Sequence, residues 1–180
     1  MEKIIKLKFI IRMVILLSLF LFLDQNIVNA KPVPGRAAII IDYKTNETLF
    51  EVNADTLNYP ASLVKIMTLY MTFEALEKGT LKWEQKLKVS ETAASRPRSK
   101  LYLEAGSTIQ VKDAVLALII KSANDVATVI SETLGKSEKE FAKKMTKKAH
   151  EIGMKNTTFK NASGLPNRAQ LTTARDIAVL

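Results

Sequence analysis

The stretch NYPASLVKIMTLYMTFEAL, Asn58 to Leu76, decides the fold of this chain. From Leu63 onward its apolar residues recur at the i, i+3, i+4, i+7 and i+8 positions of one helical face: Leu63, Ile66, Met67, Tyr70 and Met71. Ser62 then lies in the first turn, and Lys65 projects from the same side because residues three apart are neighbours on a helix. The stretch therefore predicts a buried helix with a hydroxyl and an amine within reach of each other.

This pair of side chains permits an acyl-enzyme mechanism. A serine hydroxyl is a poor nucleophile until a base removes its proton, and the one histidine, His150, is predicted to be a surface residue on a lysine-rich helix. Desolvation, neighbouring positive charge and a helix N-terminus each lower the pKa of a lysine, so a buried Lys65 can act as the base. The free N–H groups of a helix start also stabilise developing negative charge. Ser62 and Lys65 are therefore the candidate nucleophile and base.

A second polar motif strengthens this hypothesis, because Ser-x-x-Lys alone arises by chance on the order of once in a chain of this length. In KSAND, Lys121 to Asp125, a Ser-x-Asn interrupts two apolar helical segments. Polar groups near a core need hydrogen-bond partners, which makes Ser122 and Asn124 candidate site residues. The alternative is an ordinary helix cap formed by the serine or the asparagine.

The composition narrows the classes of function. The 180 residues are 47% hydrophobic and 25% charged, which is typical of a globular protein. With no cysteine and one histidine, the sequence offers no disulfide and no cysteine nucleophile, and we expect no metal site and no cofactor. The net charge of +9 favours anionic surfaces such as membranes and envelope polymers, whereas no nucleic-acid partner is expected.

The first thirty residues have the layout of a secretory signal peptide. A basic start precedes the apolar run Met13 to Leu23, and Val28 and Ala30 occupy the −3 and −1 positions of a cleavage site. The alternative is a membrane anchor, but this run is short compared with the ~20 residues that span a bilayer. We therefore expect residues 1–30 to be removed and the protein to be exported.

The remaining chain predicts one β-hairpin and several helices. The hairpin is AAIIIDYKTNETLFEV, Ala37 to Val52, and the polar segment 82–106 is predicted to be an exposed loop without a second strand pair. Ser137 with Glu140 predicts a capping box, and Thr172 to Leu180 predicts a capped final helix that has no stop signal. A further buried helix face is predicted at Val111, Ala114, Val115, Leu118 and Ile119.

Four segments together resemble one known family. YPASLVKIMTLY, KSANDVA, FKNASGLPN and TTARDIA occur in the order and approximate spacing of the serine-type D-alanyl-D-alanine carboxypeptidases, the low-molecular-mass penicillin-binding proteins. The resemblance covers nearly all of residues 31–180. It implies an α/β (α+β) sandwich of the β-lactamase/DD-peptidase type, with an antiparallel sheet flanked by helices and a helical subdomain carrying Ser-x-Asn.

The resemblance also implies a role for each motif residue. Ser62 would be the acylated nucleophile and Lys65 its general base. Ser122 would relay a proton to the leaving D-alanine, and Asn124 would bind the substrate amide and help to hold Lys65. The implied substrate is a peptidoglycan stem peptide ending in D-Ala-D-Ala, β-lactam antibiotics would acylate the same serine, and the location is the bacterial periplasm or envelope with peripheral membrane association. Further family positions are expected to be structural: Asn161, Gly164, Leu165, Arg175 and Asp176.

The sequence departs from the family pattern in two places. The middle motif is Ser-Ala-Asn where many relatives have Ser-Gly-Asn, and no Lys-Thr-Gly motif follows it. We therefore expect residues 31–180 to be the N-terminal part of the catalytic domain, truncated before the third motif and the C-terminal domain. Two alternatives stay open. One is a β-lactamase, which would need a group that activates water, and the other is an inactive truncated fragment that binds the envelope through its basic surface.

Overall fold

The computed structural model describes residues 36–180, so the predicted signal peptide lies outside the described residues. The first element is an antiparallel hairpin of β1 (Ala38–Ile41) and β2 (Thr48–Val52), in which Ala38 is opposite Val52. Its turn is closed by the Asp42 carboxylate, which accepts from the backbone N–H groups of Lys44 and Thr45 at 2.9 and 2.8 Å. The predicted hairpin is confirmed.

The helix of the opening stretch begins later than its pattern predicts. Ala61–Leu63 form a 3₁₀ turn, and α1 (Val64–Glu77) follows it and ends before Gly79, whose φ is +68°. The predicted buried face is confirmed for Met67, which is fully buried, but it is wrong for Leu63, Ile66 and Tyr70, which are 48%, 41% and 37% exposed. The stretch is apolar around most of its circumference, so periodicity does not single out a face. The residues that face inward are Val64, Lys65, Met67, Thr68 and Thr72.

The segment predicted to be an exposed loop, 82–106, contains one strand of a second pair, and the partner strand begins two residues after the segment ends. In this antiparallel pair the buried residues Leu87 and Ile109 lie opposite each other. Each strand has only three residues and one inward side chain, so neither carries a local alternating pattern. The strands and the short helix between them are β3 (Lys86–Lys88), α2 (Glu91–Ala94) and β4 (Thr108–Gln110).

Helices supply most of the core. In α3 (Val111–Lys121) the predicted face is buried except for Ile119, which is exposed, and α4 (Asn124–Gly135) is buried at every residue from 124 to 131. Because α4 packs against α1, α2, α3 and α5 (Glu138–Glu151), it lies at the centre of the helical layer. The largest fully buried side chains around it include Met67, Ile130, Phe141, Met145, Met154 and Phe159.

Two predicted helix starts are confirmed by their capping hydrogen bonds. Ser137 Oγ accepts from the backbone N–H of Glu140 at 3.2 Å at the start of α5. At the start of α6 (Ala174–Val179), Thr173 Oγ1 accepts from the backbone N–H of Asp176 at 3.0 Å. The architecture of residues 36–180 is thus α+β, with two small antiparallel sheets and six α-helices. None of these helices is both long enough and apolar enough to cross a membrane.

Candidate active site

Ser62 and Lys65 differ in their exposure to solvent. Ser62 is exposed in the 3₁₀ turn, whereas Lys65, in the first turn of α1, is 3% exposed. Between Pro60 and Ser62, Ala61 has a φ of +46°, a left-handed conformation that alanine rarely adopts. The strained residue changes the direction of the chain just before the helix, which leaves the hydroxyl outside and takes the amine inside.

The Lys65 amine is held by a backbone carbonyl. Its Nζ donates to the carbonyl oxygen of Ser163 at 2.5 Å, and burial lowers the pKa of Lys65 to about 8. With this pKa roughly a tenth of the amines are neutral at pH 7, compared with well under a thousandth for an ordinary lysine. Of the three predicted causes, desolvation is the one that operates here, whereas neighbouring positive charge and the helix N-terminus do not contribute. Within residues 36–180, Ser62 and Lys65 share no hydrogen bond.

Ser122 and Asn124 lie where α3 gives way to α4. Ser122 is half-buried in a left-handed conformation with φ of 55°, and Asn124 is the first residue of α4. Because α4 packs on α1, the two motifs belong to neighbouring helices. The capping alternative holds for the position of Ser122, which is the C-cap residue of α3, but not for an N-cap of α4, where the cap residue is Ala123 and makes no side-chain cap.

The expected contact between Asn124 and Lys65 is not formed. Asn124 Nδ2 instead donates to the carbonyl oxygens of Pro97 and Arg98 at 3.0 and 3.1 Å. These two acceptors use both of the N–H donors of the amide, so none remains for another partner. In this structure Asn124 fastens the loop before α3, and Lys65 depends on Ser163.

Sequence reasoning missed two parts of the site. The fully buried carboxylate of Asp125 accepts from the backbone N–H groups of Leu101 and Leu103 at 3.0 and 3.2 Å, and thereby fixes the loop that Asn124 fastens. Its position directly after Ser-x-Asn was the available signal, because a buried acid needs donors. The other missed part is the Ser163 carbonyl, which as a backbone group has no sequence signature.

The described residues contain no His, Cys, Asp and Glu group that could hold a metal ion. His150 is exposed on α5, and its Nε2 lies 3.0 Å from the Thr157 carbonyl oxygen. His150 therefore contacts a neighbouring surface loop.

Comparison with known proteins identifies the family. The sequence profile described as D-alanyl-D-alanine carboxypeptidase matches residues 24–180. The chain belongs to the D-alanyl-D-alanine carboxypeptidase family. A curated relative, the carboxypeptidase DacF of Bacillus subtilis (strain 168), is 40% identical over 146 residues, which are 81% of this chain and 38% of DacF.

Solved structures of similar proteins confirm the fold expected for this carboxypeptidase-family chain. The D-alanyl-D-alanine carboxypeptidase DacD from Francisella tularensis matches with a TM-score of 0.78 and 35% identity, over 88% of this chain and 40% of that one. Penicillin-binding protein D2 from Listeria monocytogenes, in its ampicillin-bound form, matches with a TM-score of 0.65 and 32% identity, over 79% of this chain and 58% of that one. The chain therefore spans about two fifths of the length of DacF and DacD.

Proposed function

We propose that the chain supplies the nucleophile and base of a serine-type D-alanyl-D-alanine carboxypeptidase. Ser62 Oγ attacks the carbonyl carbon of the penultimate D-alanine of a stem peptide. The new ester bond forms as the bond to the terminal D-alanine nitrogen breaks, and water then hydrolyses the ester and restores the serine. The observation that carries the proposal is Lys65, a buried amine with a pKa of about 8 one helical turn from an exposed serine.

Lys65 and Ser122 carry the proton transfers of this reaction. Lys65 takes the proton of the Ser62 hydroxyl. As the amide bond breaks, Ser122 donates its proton to the departing D-alanine nitrogen and regains one from the Lys65 ammonium, so Lys65 and Ser122 end the acylation step in their starting forms. This route requires the Lys65 amine to turn from the Ser163 carbonyl toward Ser62 when substrate binds. The hydroxyl of Ser122 donates to no group among residues 36–180, which leaves it available for the relay. Asn124 would bind the substrate amide after releasing the loop carbonyls.

The backbone N–H of Ser62 provides one oxyanion donor at the start of the helix. Removing one oxyanion donor typically slows a reaction about a hundred- to a thousandfold. Since no Lys-Thr-Gly motif is present in these 180 residues, we expect the chain to react slowly by itself. A signal peptide at 1–30 and export to the bacterial envelope, where the stem peptides and β-lactams are met, complete the proposal.

The direct test is labelling of the purified chain with a fluorescent penicillin, together with Ser62→Ala and with full-length Bacillus subtilis DacF as a positive control. We expect slow covalent labelling that Ser62→Ala abolishes, and release of D-alanine from a D-Ala-D-Ala peptide. Peptide binding without D-alanine release would indicate an inactive envelope-binding fragment. Rapid turnover of the penicillin would indicate a β-lactamase, and labelling that survives Ser62→Ala would contradict the assigned nucleophile.

A further inference from the structure

A five-residue loop, Asn161 to Leu165, packs against the first two turns of the helix that carries the proposed base. Its backbone accepts from both buried polar side chains there. The Ser163 carbonyl binds Lys65 Nζ at 2.5 Å, and the Ala162 carbonyl binds Thr68 Oγ1 at 2.8 Å. We refer to residues 161–165 as the clamp loop, because it joins this helix at two successive turns.

The clamp loop also touches the backbone of the nucleophile turn. A Cβ atom added at Gly164 would lie 1.8 Å from the Ala61 carbonyl oxygen and 3.0 Å from the Ser62 nitrogen. Gly164 has a φ of +83°, so both its backbone conformation and its surroundings exclude a side chain. The contact falls on the strained Ala61, whose left-handed conformation needs support from its neighbours.

Asn161 holds the loop in this conformation. Its Oδ1 accepts from the backbone N–H groups of Gly164 and Ser163 at 2.7 and 3.2 Å, and its Nδ2 donates to the Leu165 carbonyl at 2.9 Å. Gln170, which is buried, accepts from the Asn161 backbone N–H at 3.1 Å. One asparagine side chain thus binds three backbone groups of the loop.

We infer that Asn161 is a positioning residue of the proposed acyl-transfer site, which folds the clamp loop so that the Ser163 carbonyl holds the Lys65 amine and Gly164 braces the Ser62 turn. The inference rests on the proposed function. It gives a role in that function to Asn161, which the family resemblance led us to expect to be only structural. Asn161 acts through Ser163 and Gly164.

Several charged groups on the helices around Lys65 bind partners other than its amine. On α5, Glu138 accepts from the Ala162 N–H and pairs with Arg96, and Lys148 pairs with Glu74 of α1. On α4, Asp125 accepts from loop N–H groups; the other ionisable residues on α3 and α4 are Lys112, Asp113, Lys121 and Glu132. Burial is the one cause that lowers the pKa of Lys65. Loosening the clamp loop should therefore admit water and raise that pKa.

The test is an NMR titration of the lysine side chains in the full chain, with the Lys65 signal assigned by its loss in Lys65→Arg. In Asn161→Ala we expect the pKa of Lys65 to rise from about 8 toward its ordinary 10.5, because water stabilises the ammonium form. Asn167→Ala is the matched control. Asn167 is exposed and caps only the neighbouring turn, where it accepts from the Ala169 N–H at 3.0 Å, so its loss should leave Lys65 unchanged.

A second variant covers the case in which Asn161→Ala does not fold. Gly164→Ala keeps every hydrogen-bonding side chain but pushes the loop from Ala61, and it should shift the Lys65 titration in the same direction. An unchanged Lys65 titration in whichever variant folds would overturn the inference, and so would an equal shift in Asn167→Ala. If neither variant folds, their failure beside a folded Asn167→Ala would assign the loop to stability alone and overturn it as well.

Penicillin labelling separates this inference from the proposed function. The midpoint of the labelling rate against pH should move upward with the Lys65 pKa, and the rate at pH 7 should fall about tenfold for each pH unit of that movement. A purely structural role would lower the labelled fraction without moving the midpoint. If the unmodified chain is not labelled but Asn161→Ala still shifts the Lys65 titration, the proposed function fails and the positioning of Lys65 stands.

Discussion

The side chain of Lys65 is buried, and a hydrophobic side chain at this position would lower the free energy of unfolding less. Its pKa of about 8 compared with 10.5 corresponds to about 3 kcal/mol that the folded state loses by keeping the charged form buried. The hydrogen bond to Ser163 offsets part of that cost. The proposed role of Lys65 as a base would account for a residue that lowers stability.

Replacing Lys65 should therefore stabilise the protein while it abolishes acylation. For Lys65→Met at pH 7 we expect a gain in unfolding free energy on the order of 1 kcal/mol, because removal of the charge outweighs an unpaired Ser163 carbonyl, which costs about 2 kcal/mol. The folded-state pKa is lowered, so the cost of the buried amine is fully present below about pH 8 and disappears as pH rises through 10.5. The sign of the difference should reverse by pH 10.

Urea unfolding of both proteins at pH 7 and pH 10 measures this reversal. Lys139→Met, on the exposed side of α5, is the matched control and should behave like the unmodified protein at both pH values. A Lys65→Met protein that is less stable at pH 7 would show that the amine is not costly.

The pH dependence of acylation gives a second prediction for the same residue. The neutral amine is the form that removes the Ser62 proton, so the rate of penicillin labelling should rise with pH and level off above about pH 8. Stopped labelling reactions between pH 6 and pH 9.5 would measure it. A flat profile, or a midpoint near pH 6.5 typical of histidine, would exclude Lys65 as the base.

The loop before α3 is organised by a single carboxylate of α4. Asp125 accepts from the N–H groups of Leu101 and Leu103 as well as from its own helix, through Val126 N–H at 2.9 Å. Asn124 fastens the earlier part of the same loop. The Ser-x-Asn motif and the residue after it therefore work as one anchor for segment 97–103.

Asp125→Ala should release this loop and destabilise the protein by on the order of 3 kcal/mol, because it removes the acceptor of the buried Val126 N–H and of the part-buried Leu101 and Leu103 N–H groups. Trypsin should then cleave faster at Arg98 and Lys100, which the folded loop protects. Asp113→Ala, an exposed acid in the first turn of α3, is the control and should change neither property appreciably. Unchanged cleavage in Asp125→Ala would mean that Asn124 alone holds the loop.

Elements with local chemical signals could be predicted, and elements defined by distant contacts could not. The hairpin, the caps at Ser137 and Thr173 and the end of α1 at Gly79 depend on residues within a few positions of one another. The β3–β4 pair joins segments about twenty residues apart, and the inward face of α1 is chosen by the carbonyls of a loop that follows much later. The separation of Ser62 and Lys65 by one turn follows from their spacing, and their roles stay a prediction, whereas the backbone acceptor for the amine could not be predicted.

One side of the molecule carries an apolar stripe along α1. Leu63, Ile66, Tyr70 and Phe73 follow helical spacing and are each between 37% and 48% exposed. Contiguous exposed apolar surface favours association in water. Within residues 36–180 Trp83 packs against Phe73, with ring centroids 6.3 Å apart, and the stripe stays partly exposed, so the chain in isolation should be prone to self-association.

Ile66→Glu should reduce that association, because a charge at the middle of the stripe opposes burial against another apolar surface. Light scattering and binding of an apolar fluorescent dye should both decrease at equal protein concentration. Tyr43→Glu, in the exposed hairpin turn away from the stripe, serves as the control. Equal decreases in both variants would assign the effect to net charge.

The bond between Lys65 and the Ser163 carbonyl joins residues 98 positions apart. Closing so long a loop is entropically costly, and contacts of this separation form late as a chain folds. A ribosome adds residues in order, at about 5–20 per second, so Lys65 emerges several seconds before its acceptor exists. During that interval the amine is an ordinary protonated lysine, and the serine beside it is chemically quiet. In the proposed mechanism Ser62 therefore becomes reactive only when folding is complete, and a nascent or unfolded chain carries no activated serine.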